Sequence, residues 1–481
     1  MIVAVMSGLG ALVLFRVWAV LSSPLELGVD EAQYWLWGQN LQLGYYSKPP
    51  LIGWLLGLTD ALFGGSAAAT RIAAPFLHLI TGLLLFSSAR HLGGIRAGAL
   101  AGALWLTLPA VSLASFVMST DSLLLVFWSA ALYCLIRADR ADGAAVWRWM
   151  LLCGIMVGLG LLAKYAAVYF IIGMAGYAVM RQLRGNGFTT GSLFGFTAGL
   201  VAASAPTWAW NLANRFVTVR HLGENANLSQ PGLNSDGLAD FWAAQAGVLG
   251  PTILIMLAAA VIWGRASAFR HSLLGWFIWP AFAVISVQAL LKEANANWAV
   301  AAAPAAILWI SVISATAIGR WWRMLAGFSI GLNLMIALIA GWCFASGSLG
   351  IFTPKSDPLR RLKGWEVLAS DVRDQIEAQG IRAVIAHNRA TAALLYWHFG
   401  KEGYLAETGI EIVMEPGPYG PGNHYEREYP LTSSTPRPVL ALTDADTRPS
   451  QLFDGWEKQD MVSRTQISAR RMREVHFWML R

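Results

Sequence analysis

The chain has 481 residues, of which 56% are hydrophobic and 13% charged, with a mean hydropathy of +0.50. A soluble globular domain carries nearer a quarter charged residues, so this composition excludes an ordinary soluble enzyme and indicates a polytopic membrane protein. The net charge of +7 comes without a long basic run, which points to membrane topology and anionic lipid and away from nucleic acid.

Taken in order, the chain opens on an apolar run at 2–22, with no basic region before it and no convincing cleavage site. It reads as a retained first helix and not as a removed signal. Residues 29–50, VDEAQYWLWGQNLQLGYYSKPP, are too polar to cross a bilayer. Asp30 and Glu31 are adjacent acids, and Tyr34, Trp35, Trp37, Tyr45 and Tyr46 form an aromatic belt suited to a headgroup boundary. Lys48 precedes Pro49-Pro50, which fixes the backbone and opens a new helix. A bilayer core takes about 20 apolar residues per helix. Ten further segments suit it: 67–89, 97–116, 122–137, 149–163, 166–180, 190–210, 243–263, 272–291, 298–318 and 325–346, which makes eleven. The two at 149–163 and 166–180 are short and separated only by Lys164-Tyr165, as in a re-entrant or tightly turned pair. Cys134, Cys153 and Cys343 all fall in apolar stretches and read as small buried hydrophobes.

Alternating the spans sorts the loops. One set holds Arg90, Arg96, Arg137, Arg140, Arg148, Arg181, Arg184, Arg265, Arg270, Arg320 and Arg323 against two acids, Asp139 and Asp142. The positive-inside rule places that set in the cytoplasm, and Asp30 and Asp121 then share the outer face. An odd span count sends the tail outward too. That tail, from about 350 to 481, is charged and rich in proline. IRAVIAH (381–387), PVLALTD (438–444) and EVHFWML (474–480) read as strands, and 363–379 and 388–399 as helices, the first stopped by Gly380. The expectation is a polytopic α-helical membrane protein with a small C-terminal periplasmic α/β domain. Residues 1–349 are the membrane domain, with a first outer loop at 23–66, and 350–481 the periplasmic one.

Several residue types in this pattern carry chemistry. A carboxylate such as Asp30 suits a general base that takes a proton from an attacking hydroxyl; it equally suits a helix N-cap, with Gln33 completing a capping box. Asp121, in STDS at 119–122, invites the same two readings, as a second acid of the site or as a cap. Lys48 suits a phosphate as a compact point charge, and equally an interfacial lysine snorkelling to water. Glu31, Tyr46, Arg220, His221, Lys292 and Asn297 are the remaining substrate-binding candidates. Arg16, inside the first span, is an ionisable group at membrane depth; it either snorkels or pairs with Asp30. No HxxxH pattern or carboxylate cluster argues for a metal, and no Walker motif or GxGxxG before a helix argues for a nucleotide donor.

DEAQYWLW after the first span, then GYYSKPPLIGW, then STDSLLLVFW after the third, resembles the bacterial ArnT-like and protein-mannosyltransferase-like glycosyltransferases. These are polytopic enzymes of C-type glycosyltransferase fold. LLAKYA (161–166), PTWAWNLAN (206–214), ANWAVAAAP (296–304) and NHYE (423–426) extend the resemblance over the whole chain. It implies an inverting transferase on the outer face of the inner membrane. The donor is then a polyprenyl-phosphate-linked sugar and the acceptor a lipid or glycan of the envelope, such as lipid A or core oligosaccharide. By position Asp30 matches the presumed base, Lys48 the lysine that contacts the lipid phosphate, and Asp121 the second-loop acid. The aminoarabinose transferases carry Glu before that lysine, as part of a metal site. Ser47 stands there in this chain, which argues against that sugar and leaves a divalent metal open. DEAQYW with SKPP is closer to the rhizobial lipid A and core galacturonosyltransferases. A protein acceptor is the enzymatic alternative. A lipid-linked-sugar flippase is the non-enzymatic one, though the matched halves and broken helices common in transporters are not evident.

Overall fold

The computed structural model describes residues 2–226, 232–262, 273–316, 320–348, 350, 356–417, 420–444, 459–466 and 474–480. Arg265 and Arg270, two members of the arginine-rich loop set, lie outside these residues. The chain forms two compact units that interleave in sequence. One takes residues 1–19, 48–52 and 72–342; the other takes 20–47, 53–71 and 343–481.

The first unit is helical. Among the described residues, six helices of the chain are long and apolar enough to cross a membrane, and a seventh results if the bent pair Ser235–Leu249 and Pro251–Ile262 is one span. That pair turns by 112° at Gly250, whose φ of +86° suits glycine and little else. The expected spans at 67–89 and 97–116 are two helical arms within Ala73–Thr107, separated at Gly93 and Gly94 and folded back on each other, since Trp105 Nε1 donates to the His78 carbonyl at 3.2 Å. Gly94 takes a φ of +83°, which suits glycine, so the first arm ends there and the second starts back along it. Lys164 separates Ala144–Ala163 from a short 3₁₀ turn, Tyr165–Ala167, that leads into Val168–Leu183, and each of the two segments is long enough to cross a membrane by itself.

The Ala144–Ala163 helix lies against Thr190–Ala213 through small residues. A Cβ at Gly154 would overlap the Phe196 carbonyl, and one at Gly158 would come within 2.6 Å of the Ala203 Cβ. These belong to paired G-x-x-x-G patterns, Gly154/Gly158 and Gly195/Gly199. Backbones approach this closely in membranes because dispersion and interhelical polar contacts, not the hydrophobic effect, hold helices together there. Arg16 is fully buried and donates to the Leu106 carbonyl at 2.5 Å and to Ser112 Oγ at 3.1 Å. It neither snorkels nor uses Asp30.

The second unit is α/β. Its described strands are β1 (Ala383–Ile385), β2 (Glu411–Val413), β3 (Val439–Asp444), β4 (Gln459–Gln466) and β5 (Glu474–Leu480), in the order β2-β1-β3-β5-β4. β1 pairs in parallel with β2 and β3, and β5 runs antiparallel to β3 and β4. Helices Trp365–Gln379 and Arg389–Lys401 cover one face. The core beneath them also takes Leu27, Ala32, Trp35 and Leu36 from the early polar stretch. Glu26 fastens that stretch, because its carboxylate accepts from the backbone N–H groups of Gly364, Trp365 and Glu366 at the start of the Trp365–Gln379 helix. Those N–H groups would otherwise lack partners at a helix start, and a carboxylate there also meets the positive end of the helix dipole.

Candidate active site

Asp30 sits on helix Val29–Gln39. The cap of this helix is Gly28, whose N–H donates to Glu31 Oε2 at 2.9 Å. The capping reading of Asp30 is therefore corrected: Glu31, three residues after the cap, supplies the side chain, and Gln33 is used elsewhere. One residue of helical rotation separates the two acids. Glu31 is buried and takes both Nε and Nη2 of Arg71, at 2.9 and 2.7 Å, while Arg71 also donates to the Leu25 and Glu26 carbonyls. That ion pair ties the stretch to itself. The Asp30 side chain is 64% exposed and accepts from Arg389 Nη2. Arg389 Nε donates to the buried Gln33 Oε1 at 2.6 Å.

The helix that carries Asp30 is braced from below. Trp37 stacks on Tyr45 with ring centroids 4.5 Å apart, and the edge of His424 meets Trp37 at 5.6 Å. The Tyr45 hydroxyl donates to the Trp37 carbonyl at 2.8 Å, and burial pushes that phenol up to about 12. Tyr46 donates to the Pro421 carbonyl at 2.8 Å. Burial, with Arg427 and Arg389 nearby, pulls His424 down to about 3, so it is a neutral ring at working pH.

Asp121 lies in the first turn of helix Thr120–Asp139 and is likewise not the cap, a position held by Ser119 Oγ. Its two oxygens accept from Lys164 Nζ at 2.6 Å and Asn297 Nδ2 at 3.1 Å. Asn297 enters from the 3₁₀ turn Ala296–Ala302. Lys48 is half-buried just ahead of helix Leu51–Phe63. Arg220 is exposed on helix Val217–Ala226, where His221 Nδ1 lies 3.9 Å from Glu224. Lys292 ends helix Gly275–Leu291, and its carbonyl accepts from Asn234 at 2.7 Å.

The structure thus joins Asp121 to Asn297 and adds two cations that sequence reasoning did not assign. Lys164 was legible as a charge between two apolar segments. Arg389 was not, because nothing local marks an arginine 359 positions away as the partner of Asp30. Among the described residues no group of three or more His, Cys, Asp or Glu is placed to hold a metal ion.

A family model described as dolichyl-phosphate-mannose-protein mannosyltransferase matches residues 47–210, a stretch that contains Lys48, Asp121 and Lys164. The lipid A galacturonosyltransferase RgtD of Rhizobium johnstonii is 30% identical over 471 residues, which span 94% of each chain. Among solved structures, ArnT from Cupriavidus metallidurans in the apo state matches with a TM-score of 0.65 at 16% identity, over 98% of each chain. The form bound to undecaprenyl phosphate matches with a TM-score of 0.63 at 16% identity, over 98% of this chain and 97% of that one.

Proposed function

The chain belongs to the ArnT-like family of C-type membrane glycosyltransferases, and we propose from that premise that the sugar it transfers is a uronic acid, galacturonate. It is a multi-pass membrane glycosyltransferase that uses a polyprenyl-phosphate-linked donor and modifies the envelope. The observation that carries the sugar is the relative of nearly full length, which acts on lipid A as a galacturonosyltransferase. Lipid A or core oligosaccharide is accordingly the acceptor. A protein hydroxyl is the second reading, favoured by the description of the matching family.

In the proposed reaction an acceptor hydroxyl oxygen bonds to the anomeric carbon as the bond from that carbon to the phosphate oxygen breaks. The configuration inverts. Asp30 takes the hydroxyl proton and polyprenyl phosphate leaves against Lys48. The exposure of the Asp30 carboxylate supports the first role, since a base must be within hydrogen-bond reach of the proton it removes. Lys48 supplies charge where negative charge develops on the leaving oxygen. Asp121, held by Lys164 and Asn297, orients the sugar. Arg220, His221 and Lys292 are the reserve cations for the donor phosphate.

The arginine asymmetry of the loops supports about eleven spans in the bacterial inner membrane, with the active site and residues 350–481 in the periplasm. Residues 1–349, with the catalytic first outer loop at 23–66, form the transferase domain of this proposal. Mass spectrometry of envelope lipids with and without the gene tests it. One galacturonate should vanish from lipid A or core. An unchanged profile contradicts the assignment, and loss of a different sugar replaces it.

A further inference from the structure

Arg389 is held like a receptor that has been left partly open. Asn388 caps its helix by accepting from Thr391 N–H at 2.9 Å, which fixes the backbone where Arg389 begins. Gln33, itself 1% exposed, fixes the guanidinium from below through Nε at 2.6 Å. Nη2 reaches Asp30. These contacts use two of the five N–H donors that a guanidinium offers. Nη1 makes no protein hydrogen bond among the described residues, and the side chain is 39% exposed. The orientation is therefore set by a buried amide, while Nη1 stays uncommitted on a side chain that is partly open and Nη2 is held only by the exposed Asp30.

A guanidinium edge with two parallel N–H groups matches a carboxylate, which it binds in bidentate fashion. The acid it now holds is a weak competitor, because an ion pair this exposed is screened by water and contributes little. We propose that Arg389 recognises the carboxylate of a uronosyl donor, and that the incoming carboxylate displaces Asp30 from the guanidinium and so frees Asp30 to receive the acceptor hydroxyl. Selection of the acidic sugar and release of the base then become one event. This inference rests on the galacturonate reading above. It adds a specificity-determining residue to it, and no covalent step.

The experiment compares wild type, Arg389→Lys and Arg389→Gln with two synthetic donors, polyprenyl-phosphate galacturonate and polyprenyl-phosphate galactose, which differ in a carboxylate against a hydroxymethyl group. Wild type should prefer galacturonate. Arg389→Gln should raise KM for galacturonate about tenfold or more, change that for galactose little, and bring the preference near unity. Arg389→Lys should fall between, since the charge survives without the fork. Equal fold-loss on both donors, or no loss on either, overturns the proposal and leaves the galacturonate reading standing. A wild type that prefers galactose overturns both. If Arg389→Gln does not fold, the donor dependence of Arg389→Lys decides between the same outcomes.

Discussion

Adjacent residues on one helical turn meet opposite surroundings in this protein. Glu31 is sealed against Arg71, each side chain 1% exposed, while Asp30 beside it is open. Removing one partner of a buried pair leaves an uncompensated charge and costs about 3–5 kcal/mol. Glu31→Ala should therefore lower the unfolding midpoint of detergent-solubilised protein strongly, while activity per folded molecule stays within a few-fold. A large loss of turnover at unchanged stability would move Glu31 into the chemistry. Lys48 presents the reverse expectation. If it holds the leaving phosphate, Lys48→Ala should slow transfer by about 2.7–4 kcal/mol of transition-state stabilisation, and Lys48→Arg should recover part of it. Equal activity per folded molecule in all three proteins would pass the phosphate to Arg220 or Lys292. Acid stability has its own residue. Burial pulls His398 from 6.5 down to about 4, so across that window the unfolded chain holds a proton that the folded chain refuses. Stability then rises with pH through the window and is lost as pH falls through it. His424 adds the same sign. Glu26, raised by burial and lying 3.9 Å from His398, opposes it. His398→Phe should flatten the dependence of unfolding on pH between about 6.5 and 4 relative to wild type; parallel curves would remove His398 as a cause.

At the scale of elements, close packing of glycines is the most testable feature. Gly154 and Gly158 let the Ala144–Ala163 backbone press on Thr190–Ala213. Overpacking a fitted contact typically costs about 1–3 kcal/mol, and the overlap at Gly154 is with backbone, which cannot rotate away. Gly154→Val should lower the thermal midpoint without altering donor preference, whereas an unchanged midpoint would mean that the helices are not packed this way. The elements themselves were largely legible. Strands expected at 438–444 and 474–480 appear as β3 and β5, and the helices at 363–379 and 388–399 appear as Trp365–Gln379 and Arg389–Lys401, because apolar period and stop signals are local. β2 and β4 were missed. β2 has three residues and no alternation to read, and β4, QDMVSRTQ, is mostly polar. The caps were misread for a related reason. Asp30 and Asp121 each lie in the first turn of a helix, but Gly28 and Ser119 hold the cap positions. An acid in the first turn suits the helix dipole at several positions, so composition does not say which residue is the cap and which is left for other work.

For the molecule as a whole, hydropathy and motif spacing were enough for the family, and the three-dimensional partners were not. Asp121 meets Lys164 and Asn297 across 43 and 176 positions, and Asp30 meets Arg389 across 359. No local pattern encodes such pairings. The interleaving of residues 20–47 and 53–71 with 343–481 in one compact unit was equally hidden, since those segments differ in composition. The central claim is that this chain forms a glycosidic bond from a lipid-linked sugar with Asp30 as base. The most direct test reconstitutes purified wild type and Asp30→Asn in lipid nanodiscs with polyprenyl-phosphate galacturonate and lipid A, and follows both products by mass spectrometry. Wild type should release polyprenyl phosphate in step with galacturonosylated lipid A of inverted anomeric configuration. Asp30→Asn should remain folded, since the pair it breaks is exposed, and lose about 10²–10⁴ in rate. A wild type that forms no glycosidic bond, or a folded Asp30→Asn that turns over normally, would contradict the account.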